Sequence, residues 1–539
     1  MKRSIFLAFI GVVFSQSLAH SQNGQASCEH LRSFHRGTSR VMKAEYIPAG
    51  EFKFPALGSF TPPPMTLPTH CSVRILHRTS ADSEVNSEIW LPDVPNWNGK
   101  FLGTGNGGYS SALSYYQMAL SFRHGFAVGG SDTGHQGDGL SFGTGHPEKI
   151  RDWAYRSTHV LAQDARAVVS AYYRKRPEHA YFAGCSTGGQ QALSEAQRYP
   201  KDFDGIVAGD PGNDRILLNA DFLESWLVTH PADGPSFPSS KLALLSQAVI
   251  AACDKQDGLT DGVISDPRVC SFDPGNLACG ADPDTSSCLT QSEVSMVRRL
   301  YDGPVRDASG QPVFHGWPRG SEAGWGAYLV LPSQPVRLEF WVSWVFDSSS
   351  FDPRAFHASS AIAAARAKLP YVEAVNPDLR RFQRSGGKLL MYHGWADPVV
   401  PPEDTIGYYQ RVKKTLGPGV ESSIRLFMVP GMGHCAGGPG ASEFDAIAAL
   451  DRWVTEAAVP DSILASHTSP GQSSFERPLC PFPQTAQWDG RSDPDKASSF
   501  RCVNGHSDWE KRTRFSRTSA KCGCDTVTRA QYGGARCVG

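Results

Sequence analysis

Gly184-Cys185-Ser186-Thr187-Gly188 fits the pattern G-x-S-x-G, with the apolar run Tyr181-Phe182-Ala183 before it and a helix-forming stretch after Gly189. A serine on a sharp strand-to-helix turn holds its Oγ above the sheet at a helix N-terminus, and the flanking glycines let backbone and helix approach closely. In a chain with 53 glycines the pentapeptide arises easily by chance, so the strand-turn-helix context carries the weight. A hydroxyl near its free pKa is a weak nucleophile and needs a base, itself oriented by a carboxylate. Both follow in the order serine, acid, histidine. Asp397 ends Tyr392-His393-Gly394-Trp395-Ala396-Asp397, after an apolar run, and His434 lies in Gly431-Met432-Gly433-His434-Cys435, after another run ending at Val429. A glycine-rich turn bearing one of 17 histidines is more often a surface turn, but the joint, ordered occurrence is harder to dismiss. The chemistry these residues predict is two-step acyl transfer.

Two cysteines flank this set: Cys185 precedes the candidate nucleophile and Cys435 follows the candidate base. A triad would bring them within bridging range; the competing reading is a buried free thiol at Cys185. Tetrahedral intermediates need N–H donors, supplied by the residue after the nucleophile and by an early glycine-rich loop. Thr187 is the first candidate, and Gly107 or Gly108 in Gly103-Thr104-Gly105-Asn106-Gly107-Gly108 the second. The same loop matches G-x-G-x-x-G after a short strand, with Asp132 near the dinucleotide-binding distance. That alternative leaves Ser186, Asp397 and His434 unexplained, and an exported chain rarely meets nicotinamide cofactors.

The elements needed to position these residues are legible around them. From Ser72 to Gly145 short apolar runs such as Glu88-Ile89-Trp90-Leu91 and Phe126-Ala127-Val128 predict strands and tight loops. Apolar residues at helical spacing (Val160, Leu161, Ala165, Val168, Val169, Tyr172) predict a helix over 157–174. Strand 180–183, helix 190–198 and strand 205–208 follow. The alternation resumes with strand 388–392, helix 405–416, strand 423–429 and helix 444–457. This is the pattern of a parallel sheet covered on both faces, an α/β fold. Between Asn213 and Asp378 the period is lost among cysteine, proline, tryptophan and acidic loops, which predicts an inserted cap.

The 539-residue chain exceeds one simple core. The expected organisation is a signal peptide over 1–19, a first catalytic segment over 20–212, a lid over 213–378, a second catalytic segment over 379–503, and a structureless tail over 504–539. The leader reading rests on Lys2 and Arg3, the apolar run Ile5 to Phe14, and Ser17-Leu18-Ala19 before His20. It predicts a secreted or periplasmic product. A formal net charge of -1 provides no field to recruit nucleic acid or an anionic membrane. Thirteen cysteines in an exported chain argue for disulfides, with at least one thiol left over because the number is odd. Cys253 with Cys270, and Cys279 with Cys288, look local.

Together, Gly105-Asn106-Gly107-Gly108, Asp132-Thr133-Gly134-His135, Gly184-Cys185-Ser186-Thr187-Gly188-Gly189, His393-Gly394 with Asp397, and Gly433-His434-Cys435 resemble the tannase and feruloyl esterase family, which includes mono(2-hydroxyethyl) terephthalate hydrolases. The resemblance implies an α/β-hydrolase fold with a large inserted lid, and a small aromatic ester as substrate. It also implies disulfides Cys185–Cys435, Cys28–Cys71, Cys253–Cys270, Cys279–Cys288 and Cys480–Cys502. Cys522, Cys524 and Cys537 stay unassigned. The acidic segment Asp254 to Val263 could hold calcium or be a solvated Asp-Gly loop. The resemblance implies structural calcium on the Asp254, Asp257 and Asp261 side chains and the Leu259 and Val263 carbonyls. Of the lid aromatics Trp317, Trp325, Phe340, Trp341, Trp344 and Phe346, most are expected in the core, with one or two walling a slot for a flat acid. His135 and His393 are expected in supporting positions. A non-catalytic binding protein on an esterase-like fold is the competing class.

Overall fold

The computed structural model describes residues 24–56, 61–280, 286–468 and 474–505. The expected leader, and all but the first two residues of the expected tail with its three cysteines, lie outside them.

Ten strands form the main sheet: β1 (His35–Arg36), β2 (Ser39–Ile47), β3 (His70–Arg78), β4 (Glu84–Pro92), β5 (Lys100–Thr104), β6 (Ala127–Ser131), β7 (His179–Cys185), β8 (Gly205–Gly209), β9 (Lys388–Gly394) and β10 (Ile424–Val429). Their order is β1-β2-β3-β4-β6-β5-β7-β8-β9-β10. Pairings from β1 to β4, and β4 with β6, are antiparallel. Every pairing from β6 to β10 is parallel.

Successive strand residues point to opposite faces, so unbroken apolar runs mean both faces are covered. Phe182, Ile206, Leu389 and Met391 share one core with Leu161 and Val168 of helix Ser157–Tyr173 and with Leu193 of helix Thr187–Arg198. Their neighbours Tyr181, Val207 and Leu390 pack on the other face with Leu450 and Trp453 of helix Ala446–Glu456. A sheet with parallel strands wound on both sides and a serine at a strand-to-helix turn is the α/β-hydrolase arrangement.

The predicted elements exist, with shifted ends. The helix expected from Gln190 begins at Thr187, directly after the nucleophile turn. The helix expected from Thr405 begins at Pro402, a residue suited to the first helical turn because it needs no N–H partner. Phe444, expected to open the last helix, instead pairs with Ala465, as Glu443 does with Ser466. Asp445 then caps the helix by accepting from Ala448 N.

Between β8 and β9 the described residues add no strand to the sheet. Helices Arg215–Thr229, Leu242–Cys253, Gln291–Tyr301 and Ala358–Lys368 surround their own core, which holds Trp317, Trp325, Phe340, Trp341 and Trp344. Phe346, by contrast, is 39% exposed. Among the described residues no helix is long and apolar enough to cross a membrane.

Candidate active site

Ser186 stands between β7 and the helix from Thr187, at φ 63° and ψ -118°. A non-glycine residue held there is strained, and such strain persists only where the surroundings enforce it. Two contacts do so: Ser186 N–H donates to Gly209 O at 2.9 Å, and Gly212 N–H donates to Ser186 O at 3.2 Å. The glycines are required by close approach. A Cβ on Gly184 would lie 2.6 Å from Gly188 Cα, and one on Gly189 would collide with the Gly209 carbonyl.

The acid and base loops leave β9 and β10 side by side. Asp397 is fully buried, and its Oδ2 accepts from His434 Nδ1 at 2.7 Å. Its Oδ1 accepts the N–H groups of Val399 and Val400 at 2.7 and 3.0 Å. Burial opposes ionisation here, but His434 and His393 outweigh it and hold the Asp397 carboxyl well below the usual range. The disulfide Cys185–Cys435, with Cα atoms 5.9 Å apart, ties the residue before the serine to the residue after the histidine. Serine, acid and base loops are thus brought to one place at the C-terminal edge of the sheet. The other four disulfides are Cys28–Cys71, Cys253–Cys270, Cys279–Cys288 and Cys480–Cys502.

The glycine-rich loop after β5 docks on this elbow rather than opening a helix. Gly105 N–H is taken by Ala183 O and Asn106 N–H by Gln191 Oε1, at 2.9 and 3.0 Å. A Cβ on Gly105 would lie 2.6 Å from Gly188 Cα. Asp132 is engaged by Asn86, Gly134 and Gln136, so the structure has neither feature of a dinucleotide site there. Gly107 and Gly108 follow at the edge of the site, and Thr187 N–H lies in the first helical turn, where no intrahelical acceptor exists.

Two groups, Asp210 and Arg215, escaped the sequence reading, while His393 holds the supporting position expected of it. Asp210, directly after β8, is fully buried; its Oδ1 accepts Gly394 N–H at 2.8 Å and its Oδ2 lies 3.2 Å from Cys185 Sγ. Burial first, with the Asp397 charge adding, pushes Asp210 up to about 6. His393 lies between Asp210 and Asp397, 3.6 and 3.2 Å away. Burial opposes its charge, yet the two carboxylates win and raise His393 to about 9. A charged His393 thus backs the acid that orients His434. Arg215 is buried beside Thr187. An acid ending an apolar strand is a signal that could have found Asp210; an arginine before Ile216-Leu217-Leu218 offers none.

Tyr109, Trp153 and Trp344 stack beside Gly108 where lid meets sheet. Tyr109 and Trp153 lie face to face at 4.6 Å, and Trp344 meets Tyr109 edge-on at 5.4 Å. Trp344 Nε1 donates to Leu140 O at 2.7 Å. A cavity of about 660 Å³ bounded by Asp82, Asp132, His135 and His146 includes no residue of the serine, acid or base loops.

The acidic loop, remote in sequence from Ser186, Asp397 and His434, packs against the histidine loop: a Cβ on Gly431 would lie 3.0 Å from Val263 Cγ1. Asp257, Leu259, Asp261 and Val263 line a cavity of about 30 Å³ bounded also by Pro430 and Gly440. Burial, with the charges of Asp261 and Asp254 adding, holds Asp257 above its ordinary range despite hydrogen bonds from Ser265 and Leu259. Two of the three expected carboxylates, Asp257 and Asp261, line this cavity beside Phe475, Trp488 and Phe500, while Asp254 Oδ1 accepts the N–H groups of Asp261 and Gly262. Arg477 supplies one opposing charge, 2.9 Å from Asp261 Oδ2.

Residues 71–503 match the model of the tannase and feruloyl esterase family. An uncharacterized esterase of Xanthomonas campestris is 32% identical, over 92% of this chain and 94% of the relative. A mono(2-hydroxyethyl) terephthalate hydrolase of Piscinibacter sakaiensis is 30% identical, over 81% and 85%. The crystal structure of feruloyl esterase B from Aspergillus oryzae superposes with a TM-score of 0.82 at 27% identity, covering 89% of this chain and all of that one. The chain therefore belongs to the tannase and feruloyl esterase family and is a carboxylic ester hydrolase.

Proposed function

We propose that the protein is an exported serine esterase that cleaves esters of phenolic or aromatic acids through an acyl-enzyme. The observation that carries this reading is the 2.7 Å bond from His434 to buried Asp397, on a loop tethered by Cys185–Cys435 to the strained Ser186. Ser186 Oγ attacks the ester carbonyl and passes its proton to His434 Nε2, while Asp397 accepts Nδ1–H and stabilises the imidazolium. The oxyanion is met by Thr187 N–H and by the N–H of Gly107 or Gly108. His434 returns the proton to the departing alcohol, then activates the water that frees the acid. Export is supported by the five disulfides, which suit an oxidising compartment.

The substrate test is a panel of methyl ferulate, methyl gallate, chlorogenate and mono(2-hydroxyethyl) terephthalate against p-nitrophenyl acetate. An aromatic-acid ester is expected to give the highest kcat/KM; a preference for the acetate would overturn the reading. One observation favours the terephthalate half-ester, for which the Piscinibacter relative is named. Arg337, at φ 61°, lies over Phe222 and Tyr109 at 4.9 and 5.4 Å, and a Cβ on Gly108 would lie 3.8 Å from its Nη2. A guanidinium beside the oxyanion loop suits a substrate carboxylate. Arg337→Ala should then cut kcat/KM for the half-ester by roughly 10- to 100-fold, the worth of a charged hydrogen bond, and leave methyl ferulate within about twofold. Equal losses on both esters would remove this second reading.

We also propose a structural calcium ion on Asp254, Asp257 and Asp261 with the Leu259 and Val263 carbonyls. Bound there, it would neutralise the loop that buttresses the histidine turn. Chelation is expected to lower the Tm by roughly 5 °C, and Asp257→Asn to remove that response. An unchanged Tm in chelator would contradict the site.

A further inference from the structure

Arg215 opens the first lid helix and is 1% exposed. A cation at a helix N-terminus faces the positive end of the helix dipole, and a guanidinium withdrawn from water without a carboxylate is costly. Among the described residues no carboxylate forms an ion pair with it, and the charge of another cation, Arg337, bears on it. Burial pulls its pKa down to about 10, which leaves it charged across the neutral range.

What surrounds this charge is the nucleophile turn. Nη2 donates to Thr187 Oγ1 at 2.9 Å, and Nε and Nη2 both donate to Gln190 Oε1, at 2.8 and 2.5 Å. Gln190 is itself fixed by donating to Val372 O at 2.8 Å. A Cβ on Gly212, whose N–H holds the Ser186 carbonyl, would lie 3.1 Å from Nη2. The rings of Trp153 and Tyr109 lie 5.4 and 5.6 Å away. A planar fork buried against Thr187 and Gln190 is more than a lid anchor needs.

Resting on the reading of Ser186 as nucleophile, we infer that Arg215 is a positioning residue for the oxyanion: a buried, unpaired cation that fixes Thr187 in the first helical turn and adds positive potential beneath the developing negative charge. It touches no reacting atom and acts through Thr187. The ester carbonyl is nearly neutral when bound and becomes an anion in the tetrahedral state, so this potential favours the transition state over the substrate. Its loss belongs in kcat.

The test compares wild type, Arg215→Lys and Arg215→Met, with Arg215→Gln in place of the methionine variant if that one does not fold. Readouts are kcat and KM on the best ester of the panel, inhibition by phenylboronic acid, which mimics the tetrahedral adduct, and Tm. Arg215→Met should lower kcat by roughly 100-fold, the scale of one oxyanion donor, with KM within about twofold and boronate affinity falling in parallel. Arg215→Lys, keeping charge without the fork, should recover about half of that loss on a logarithmic scale. A lysine variant as slow as the methionine variant, or losses confined to KM and Tm with boronate affinity unchanged, would overturn the proposal. Fluorophosphonate labelling of wild type keeps the two readings apart. Labelling at Ser186 with unaltered Arg215→Met kinetics sinks the arginine role alone, whereas no labelling at Ser186 sinks the nucleophile assignment on which it rests.

Discussion

Asp397→Asn is expected to lower kcat by about 10⁴-fold while the protein stays folded. The magnitude follows from what the carboxylate holds. One oxygen takes the His434 Nδ1–H bond at 2.7 Å and lies 3.2 Å from His393 Nε2; the other takes two backbone N–H groups. An amide can keep one set of these bonds only by presenting an NH₂ group to the other. If oxygen stays on the backbone side, His434 meets a donor, adopts the wrong tautomer and cannot accept the Ser186 proton. The imidazolium also loses its counter-charge. His434→Ala and Ser186→Ala should each cost as much or more, and the losses should not multiply in double variants, because the three act as one unit. Steady-state kinetics on singles and doubles checks this; multiplicative losses would contradict the triad.

The second large effect is expected at the bridge beneath the triad. Replacing Cys185 and Cys435 together with alanine removes a covalent link spanning 250 residues of sequence. On the chain-entropy account such a link contributes about 5 kcal/mol, with measured values often smaller. The link also holds two residues in costly backbone conformations, since Cys435 has φ 67° and Ser186 φ 63°. Proton transfer needs Ser186 Oγ within about 2.6–3.2 Å of His434 Nε2, and a drift of roughly 1 Å can cost a hundredfold in rate. A fall in kcat of about 100-fold or more is therefore expected, with the other four disulfides intact. Non-reducing peptide mapping is the companion measurement: free thiols at both positions in active enzyme would contradict the bridge.

The strand-to-helix turn at Ser186 and the alternation of strand and helix were legible in the sequence because each rests on local rules: glycine spacing, apolar runs and period. Helix starts were less so. The elbow helix begins at Thr187 because Gly188 and Gly189, poor helix formers in isolation, are demanded by contacts with Gly105 and Gly209. Asp210 and Arg215 illustrate what spacing cannot reach. Each is tied to neighbours from other segments: Asp210 to Gly394, Arg215 to Thr187 and Gln190. The acidic loop shows the same limit in reverse. Its residues are far along the chain from His434, and packing puts Val263 against the turn that carries it. Removal of the proposed calcium is therefore expected to reach His434 as well as the lid.

The most direct test of the central claim is mass spectrometry of enzyme quenched during the first turnovers of p-nitrophenyl ferulate, whose good leaving group favours accumulation of the acyl-enzyme. The account predicts one feruloyl group per chain, mapped to the peptide containing Ser186, lost as ferulate appears, and absent from Ser186→Ala. An acyl group on any other residue, or turnover by Ser186→Ala at a rate near that of wild type, would contradict it.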